Sequence, residues 1–263
     1  MDAANGPVAS TADVAASPSA PPPDGQPPPH PPTPAGTATL TLPDGRAIPL
    51  PVQADAAGAL FVDISKLYPS SGVCTLDVGF SSTAACASSI TYIDGGAGVL
   101  LYRGIPVEEL AHRGDWVDAA FLVLHGALPT SAQKSAFDGD ITTHTLVNEQ
   151  VIQFYRGFRP DAHPMAILAG VTGALSSFYK SAEDIRDPAQ RLRSVMRLIA
   201  KIPTLAALAH RTSRGLPIVY PKNALGFTER FMYMLFSMPS EPYVFDEART
   251  AIARALEKLI ILQ

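Results

Sequence analysis

Residues 163–180 read HPMAILAGVTGALSSFYK, and this stretch decides the class of fold. Apolar side chains occupy nearly every side of a helix drawn through it, which predicts a buried helix rather than an amphipathic surface helix. Its small residues Gly170, Gly173 and Ala174 would let a second backbone approach closely. A helix of this kind needs other helices around it, so we expect a mainly α-helical protein.

Helical patterns also precede this stretch, from about residue 105 onward. The segment 115–126, DWVDAAFLVLHG, places apolar residues at helical spacing and ends at Gly126, a typical C-terminal cap. A further pattern begins at Thr130 or Ser131, either of which can cap a helix N-terminus, and we expect a break near Gly139. The chain between residues 105 and 163 is therefore predicted to be helical.

Three more helical segments follow the buried stretch. Pro203 is expected to divide the segment 187–215 into two helices, the second of which is capped by Gly215. Residues 225–238 and 246–263 complete the pattern, for a total of about eight helices. No repeat period emerges, which argues against a helical solenoid.

The N-terminal part has a different composition. Residues 1–36 are mostly Pro, Ala, Ser and Gly and are predicted to form a disordered tail. Residues 37–104 are predicted to be a small β-rich region that holds two hairpins, one around Pro43-Asp44-Gly45 and one around Asp94-Gly95-Gly96. The helical domain then spans residues 105–263.

Charge and cysteine usage exclude several classes of protein. The 263 residues are 47% hydrophobic with a net charge of −4, so there is no broad basic field for nucleic acid. Two cysteines, Cys74 and Cys86, are too few for a disulfide framework, and the first basic residue is Arg46, which argues against a signal peptide. We expect a cytoplasmic protein with no membrane span.

A search for catalytic groups returns few candidates. The six histidines form no HExxH pattern, and no metal site, nucleophile elbow or phosphate-binding glycine loop is present. Arg197 and Lys201 lie four residues apart and so share one side of a helix, where they either face solvent or share an anion. Tyr179, His144 and Thr145 are the other polar candidates, and they do not make a catalytic set.

Four blocks of sequence resemble one known family. They are FSSTAACASSITYIDGGAGVLLYRGIPVEELA from residue 80, THTLVNEQVIQFYRGFRPDAHPMAILAGVTGALSSFY from 143, RLIAKIPTLAALAHRTSRGLPIVYPKN from 197 and FMYMLFSMPSEPY from 231. In this order they resemble the N-terminal part of bacterial citrate synthase, of the hexameric type with an extra β-rich N-terminal domain. The resemblance runs from about residue 38 to 262 and implies a multi-helical citrate-synthase-like domain.

The resemblance implies an activity and partners. The family condenses acetyl-CoA with oxaloacetate and water to give citrate and CoA, at the entry to the tricarboxylic acid cycle. No cofactor or metal is required, and the proteins assemble as dimers or hexamers. A 2-methylcitrate synthase-like relative that uses another acyl-CoA is an alternative, as is a non-catalytic oligomerisation or nucleotide-binding relic of the family.

The family's catalytic histidines and carboxylate come after the last block. Gln263 stands where the first of these histidines is expected, so no residue of this chain inherits a catalytic role. We expect the chain by itself to be inactive.

The resemblance does imply a regulatory site. Some hexameric members bind NADH as an allosteric inhibitor, and the matching positions here are His144, Thr145, Tyr179, Arg197, Lys201 and Asn223. Thr143 stands where the family has an arginine of this site, and Ser240 stands where some NADH-sensitive members have a reactive cysteine.

Overall fold

The structure is a computed structural model that describes residues 33–55, 58–179, 184 and 186–263. The chain forms two compact units, Met1–Ala85 and Cys86–Gln263, called here the N-terminal unit and the helical unit. The predicted β-rich region 37–104 is thus divided between them, since its second hairpin belongs to the helical unit.

The described part of the N-terminal unit is built on an antiparallel sheet of order β1-β2-β3. The strands are β1 (Thr33–Thr41), β2 (Ala47–Ala54) and β3 (Leu60–Val62), and a short helix α1 (Leu67–Ser71) follows. Gly45 has a φ of 86°, the positive value that the predicted turn requires. The first hairpin is therefore confirmed, whereas β3 and α1 were not predicted.

The predicted disordered tail overlaps the start of β1. Residues 33–36 were expected to be part of the tail, but Thr33 and Pro34 pair with Ala54 and Gln53 of β2. The prediction is wrong for these four residues, because backbone pairing to β2 stabilises a segment whose composition alone indicates disorder. The rest of the predicted tail, residues 1–32, lies outside the described residues.

A second antiparallel sheet opens the helical unit, with strands β4 (Thr91–Asp94), β5 (Val99–Tyr102) and β6 (Ile105–Pro106). An Asp94 carboxylate oxygen accepts hydrogen bonds from the backbone N–H groups of Gly96 and Ala97, each at 2.9 Å, which fixes the predicted turn. Arg103 follows β5 and donates from Nη2 to the Val123 carbonyl at 2.9 Å. The sheet is thereby tied to the helix that contains Val123.

The rest of the helical unit contains eight α-helices in its described residues. They are α2 (Val107–Arg113), α3 (Trp116–His125), α4 (Ser131–Thr143), α5 (Glu149–Tyr155), α6 (Pro164–Ala174), α7 (Pro188–Ser213), α8 (Phe227–Phe236) and α9 (Glu247–Ile261), with a 3-10 turn (Leu175–Phe178) after α6. Asp115 and Thr130 form capping boxes at the starts of α3 and α4, and Gly126 ends α3 with a φ of 88°. The predicted mainly α-helical fold is confirmed.

Helix α6 is buried on one face only. Ile167, Val171 and Leu175 pack against α5 and α7 in the largest apolar cluster. On the other side Met165 is 63% exposed, and a Cβ added at Gly173 would meet nothing within 4 Å. The prediction of burial all round is wrong within the described chain, because the apolar pattern cannot distinguish a helix with one free face of small residues from a fully enclosed one.

Helix α7 runs unbroken through Pro203, so the predicted division at that residue is wrong. A proline inside a helix removes one backbone hydrogen bond and costs about 3 kcal/mol. Buried side chains on both sides of it, including Ala200 and Leu205, pack on α4, α5 and α6 and offset that cost. Gly215, with a φ of 65°, follows the helix end as predicted. The expected break at Gly139 is also absent, and α4 continues to Thr143.

A buried guanidinium joins α7 to α8. Arg211 has no exposed surface, and its Nη1 donates to the carbonyls of Met234 and Leu235 at 3.2 and 2.9 Å. Its Nε donates to the Pro217 carbonyl in the loop between the two helices. These acceptors include terminal carbonyls of α8, so a permanent positive charge lies at the negative end of that helix.

Candidate functional site

The polar side chains singled out in the sequence meet where α4 ends. His144 is the C-terminal capping residue of α4, and its Nδ1 lies 2.7 Å from the Asp140 carbonyl oxygen. The Thr145 hydroxyl donates to the Thr142 carbonyl at 3.1 Å, and Thr145 is buried. The carbonyl groups of the last turn of a helix have no hydrogen-bond partners inside the helix, and these two side chains contact two of them.

Helix α7 holds the segment after α4 through two side chains. Lys201 donates from Nζ to the carbonyl of His144 at 2.6 Å and to the carbonyl of Leu146. Thr204 donates from Oγ1 to the Thr145 carbonyl at 2.9 Å. Three successive carbonyls thus receive donors from one helix, and residues 144–146 are fixed against α7.

Lys201 is an ammonium group in a dry environment, with only 4% of the residue exposed. Burial and, to a lesser extent, the charge of Arg197 together lower the pKa of Lys201 to about 8. Two of its three N–H donors already serve carbonyls, so it has little capacity left for a ligand. The sequence suggested that Lys201 either faces solvent or shares an anion with Arg197, whereas in the structure it binds backbone carbonyls.

Arg197 and Tyr179 are half-buried and contact each other. The guanidinium carbon of Arg197 lies 4.7 Å from the centroid of the Tyr179 ring, and the Lys201 Nζ lies 5.8 Å from it. Burial raises the pKa of the Tyr179 hydroxyl, and the Arg197 charge partly offsets this rise. Within the residues that the structure describes, Arg197 forms no salt bridge.

Asn223 makes no hydrogen bond to the other five residues among the contacts of the described chain. It is exposed in the loop before α8. Its loop is nevertheless anchored nearby, because Arg230 donates to the Lys222 carbonyl at 3.2 Å and to the Thr142 hydroxyl at 2.9 Å. The structure thus groups His144, Thr145, Tyr179, Arg197 and Lys201 and places Asn223 on a neighbouring loop.

The sequence did not predict two residues that hold this group in place, Thr204 and Arg230. Thr204 follows Lys201 by three positions and so shares its side of α7, a spacing that could have indicated a joint role. Arg230 gives no such signal, since its partner Thr142 lies 88 positions away.

Metal-binding clusters and membrane-spanning helices are both absent from the residues that the structure describes. Across the described residues, no cluster of three or more His, Cys, Asp or Glu side chains is placed to hold a metal ion. Within those residues no helix is both long enough and apolar enough to cross a membrane.

Comparison with known proteins identifies the class of protein. Residues 79–263 match the family described as citrate synthase, C-terminal domain. This match covers well over half of the chain, and the chain therefore belongs to the citrate synthase family.

Solved structures agree with this assignment. Citrate synthase from Pyrobaculum aerophilum matches with a TM-score of 0.60 and 25% identity, over 80% of this chain and 48% of that one. Citrate synthase from Thermotoga maritima MSB8 matches with a TM-score of 0.56 and 26% identity, over 72% of this chain and 46% of that one. The chain thus spans about half the length of these two enzymes.

Proposed function

We propose that the chain supplies helical framework to a condensing enzyme of the citrate synthase type. Such an enzyme joins the methyl carbon of acetyl-CoA to the ketone carbon of oxaloacetate, and water then releases CoA to leave citrate. The observation that carries this proposal is the family match over residues 79–263. The same framework would also serve a 2-methylcitrate synthase-like enzyme, in which the acyl group is one carbon longer.

We expect the 263-residue polypeptide to have no condensing activity on its own. Three of its histidines already have other contacts: His163 accepts from the Met165 N–H at 3.2 Å, His125 packs against the rings of Phe121 and Phe137, and His144 contacts the Asp140 carbonyl. The catalytic groups that the resemblance implies belong to sequence that follows Gln263 in the family.

An assay of CoA release tests this expectation. The purified chain is incubated with acetyl-CoA and oxaloacetate, and free thiol is followed by its absorbance after reaction with a disulfide reagent. We expect no release above the rate measured with the protein and acetyl-CoA but without oxaloacetate, a control that also accounts for the exposed thiols of Cys74 and Cys86. Release that depends on oxaloacetate would overturn the expectation, and parallel reactions with acetyl-CoA and propionyl-CoA would then identify the acyl group.

The DNA downstream of codon 263 tests the proposal itself. A reading frame that encodes the family's histidine segment, in the same or a shifted frame, supports the condensing enzyme. The protein made from that longer frame should then release CoA in the same assay. A longer protein that folds and carries the segment but releases no CoA from either acyl-CoA would contradict the proposed function.

We propose, as a second function, that the group around Arg197 binds the anionic part of NADH as a regulatory site. The support is the guanidinium of Arg197, which lies over the Tyr179 ring. A guanidinium is suited to phosphate because its planar fork matches two phosphate oxygens. Equilibrium dialysis with NADH, with light scattering to follow assembly into dimers or hexamers, tests both the ligand and the oligomer.

A further inference from the structure

Helix α9 holds a half-buried carboxylate, that of Glu257, in the middle of its packed face. Ala253, Glu257 and Ile261 lie four residues apart and so share one side of the helix, and Ala253 and Ile261 are each 3% exposed. On the opposite side Ile252 and Leu259 are 56% and 60% exposed. Removing a charged carboxylate from water costs free energy unless nearby groups compensate it. The groups around Glu257 therefore affect how stably α9 packs.

The Glu257 carboxylate reaches the start of α3. Its Oε1 accepts a hydrogen bond from the Trp116 N–H at 3.3 Å, one of the backbone donors that the first turn of a helix leaves without partners. The Trp116 ring lies flat on Phe227 of α8, with ring centroids 3.5 Å apart and an angle of 6° between the planes. One contact therefore links α9 to α3, and the neighbouring stack links α3 to α8.

The charges around Glu257 are mostly negative. Lys134 of α4 is the nearby cation, and its Nζ is already shared between Asp115 and Asp118 at 2.7 and 2.8 Å. Glu229 of α8 adds a further negative charge that acts on Glu257. An ionised Glu257 is thus surrounded by more carboxylates than one ammonium group can neutralise.

Glu257 also adjoins a cavity, and helix α2 packs on α9. A cavity of about 400 Å³ adjoins Glu257 and is lined also by Asp115, Lys134 and Asp138. Helix α2 packs on α9 through Val107 and Leu110, and its charged side chains are exposed: Glu108, Glu109 and Arg113. No cation of α2 therefore compensates Glu257 from that side.

Burial raises the pKa of Glu257 above its ordinary value, and the negative charges of Asp115 and Glu229 add to this effect. The Trp116 N–H and the Lys134 ammonium group lower the same pKa but do not reverse the shift. A carboxyl group whose pKa is raised by folding favours the packed state while it is protonated. This favourable contribution is lost as the pH rises through the raised pKa.

We propose that Glu257 is a pH-sensitive contact that packs α9 tightly against α3 when it is protonated and loosely when it is ionised. The neutral carboxyl keeps an oxygen that accepts from Trp116 and no longer repels Asp115 and Glu229. The ionised form keeps the same hydrogen bond but adds a negative charge to an already negative group. Packing of α9 therefore weakens as the pH rises through the pKa of Glu257.

The chain carries its own reporter of this contact, because Trp116 is its one tryptophan. A titration of Trp116 fluorescence on the full chain, from about pH 4.5 to pH 8, should show a transition with a midpoint above the ordinary glutamate value of about 4.3. Glu257→Gln keeps an acceptor for the Trp116 N–H and should abolish this transition. Glu247→Gln, an exposed position at the start of α9, is the matched control and should retain it.

A change at Lys134 separates an electrostatic role from a merely structural one. Lys134→Gln removes the cation that favours ionised Glu257, so the midpoint should move to higher pH. Hydrogen exchange of residues 247–261, corrected for intrinsic rates, should also speed up above the midpoint in the unmodified chain and not in Glu257→Gln. A transition that survives Glu257→Gln, or a midpoint that falls or stays in place in Lys134→Gln, would overturn the proposal.

Discussion

The ammonium group of Lys201 lies 2.6 Å from the carbonyl oxygen of His144, a residue 57 positions earlier in the chain. This contact anchors the end of α4 to the middle of α7. It also means that the titration of one buried lysine is coupled to the packing of two helices, which gives the first prediction.

The stability that Lys201 contributes should increase with pH. Its pKa is lowered to about 8 in the folded chain, against about 10.4 in an unfolded one. Between these values the unfolded chain binds the extra proton, so the free energy of unfolding should rise as the pH goes from 8 to 10. Urea unfolding of the original chain and of Lys201→Met, followed by Trp116 fluorescence, checks this.

The quantity to compare is the difference in the free energy of unfolding between the original chain and Lys201→Met, because other groups titrate in the same pH range. Burial raises the pKa of Tyr155, for example, which affects both proteins equally. The advantage of the original chain over Lys201→Met should grow toward pH 10. A constant or shrinking difference would show that Lys201 is not buried as described.

The hydroxyl of Thr204 should stabilise the segment after α4 by about 1–3 kcal/mol, the cost of leaving one buried polar group without its partner. Thr204→Val keeps the shape of the side chain but removes the donor to the Thr145 carbonyl. The urea midpoint should therefore fall with little change in slope. Thr212→Val, at a less buried site on the same helix, should change stability much less.

Arg197 should dominate the affinity for NADH if the second proposed function is correct. A hydrogen bond to a charged group contributes about 1.5–3 kcal/mol, so Arg197→Gln should weaken binding at least about tenfold. Arg193→Gln, an exposed position on the same helix, is the control and should bind as the original chain does. Equal losses in both variants would point to general attraction by the basic start of α7 instead of a site.

Arg211→Lys should destabilise the helical unit although it preserves the charge. A lysine cannot reach the carbonyls of Pro217, Met234 and Leu235 at once, since it lacks the planar fork of donors. We expect a loss of about 3 kcal/mol in the free energy of unfolding. Arg214→Lys, at an exposed position three residues on, should be nearly neutral; a comparable loss there would contradict the role given to Arg211.

Local signals in the sequence predicted most of the helices. Capping residues such as Asp115 and Thr130, and glycines such as Gly126 and Gly215, act within a few residues of the helix end that they determine. Pro203 shows where such signals fail. Its effect on α7 depends on side chains packed from α4, α5 and α6, which are distant in sequence.

The candidate site shows the same limit. The spacing of Arg197 and Lys201 was enough to predict that they share one side of a helix, and both lie near the Tyr179 ring. The commitment of Lys201 to backbone carbonyls could not be predicted, because the end of α4 reaches it only through the tertiary fold. Whether NADH binds here stays a prediction.

The two ends of α8 respond differently to acid. At its C-terminal end the Arg211 guanidinium keeps its proton at any pH at which the chain is folded, so that junction has one charge state. At its N-terminal end Glu229 and Phe227 lie beside the Glu257 group, whose charge varies with pH. The charge at the C-terminal end of α8 is therefore fixed, whereas the charge beside its N-terminal end varies with pH, and there Arg230 ties the helix to the preceding loop and to Thr142.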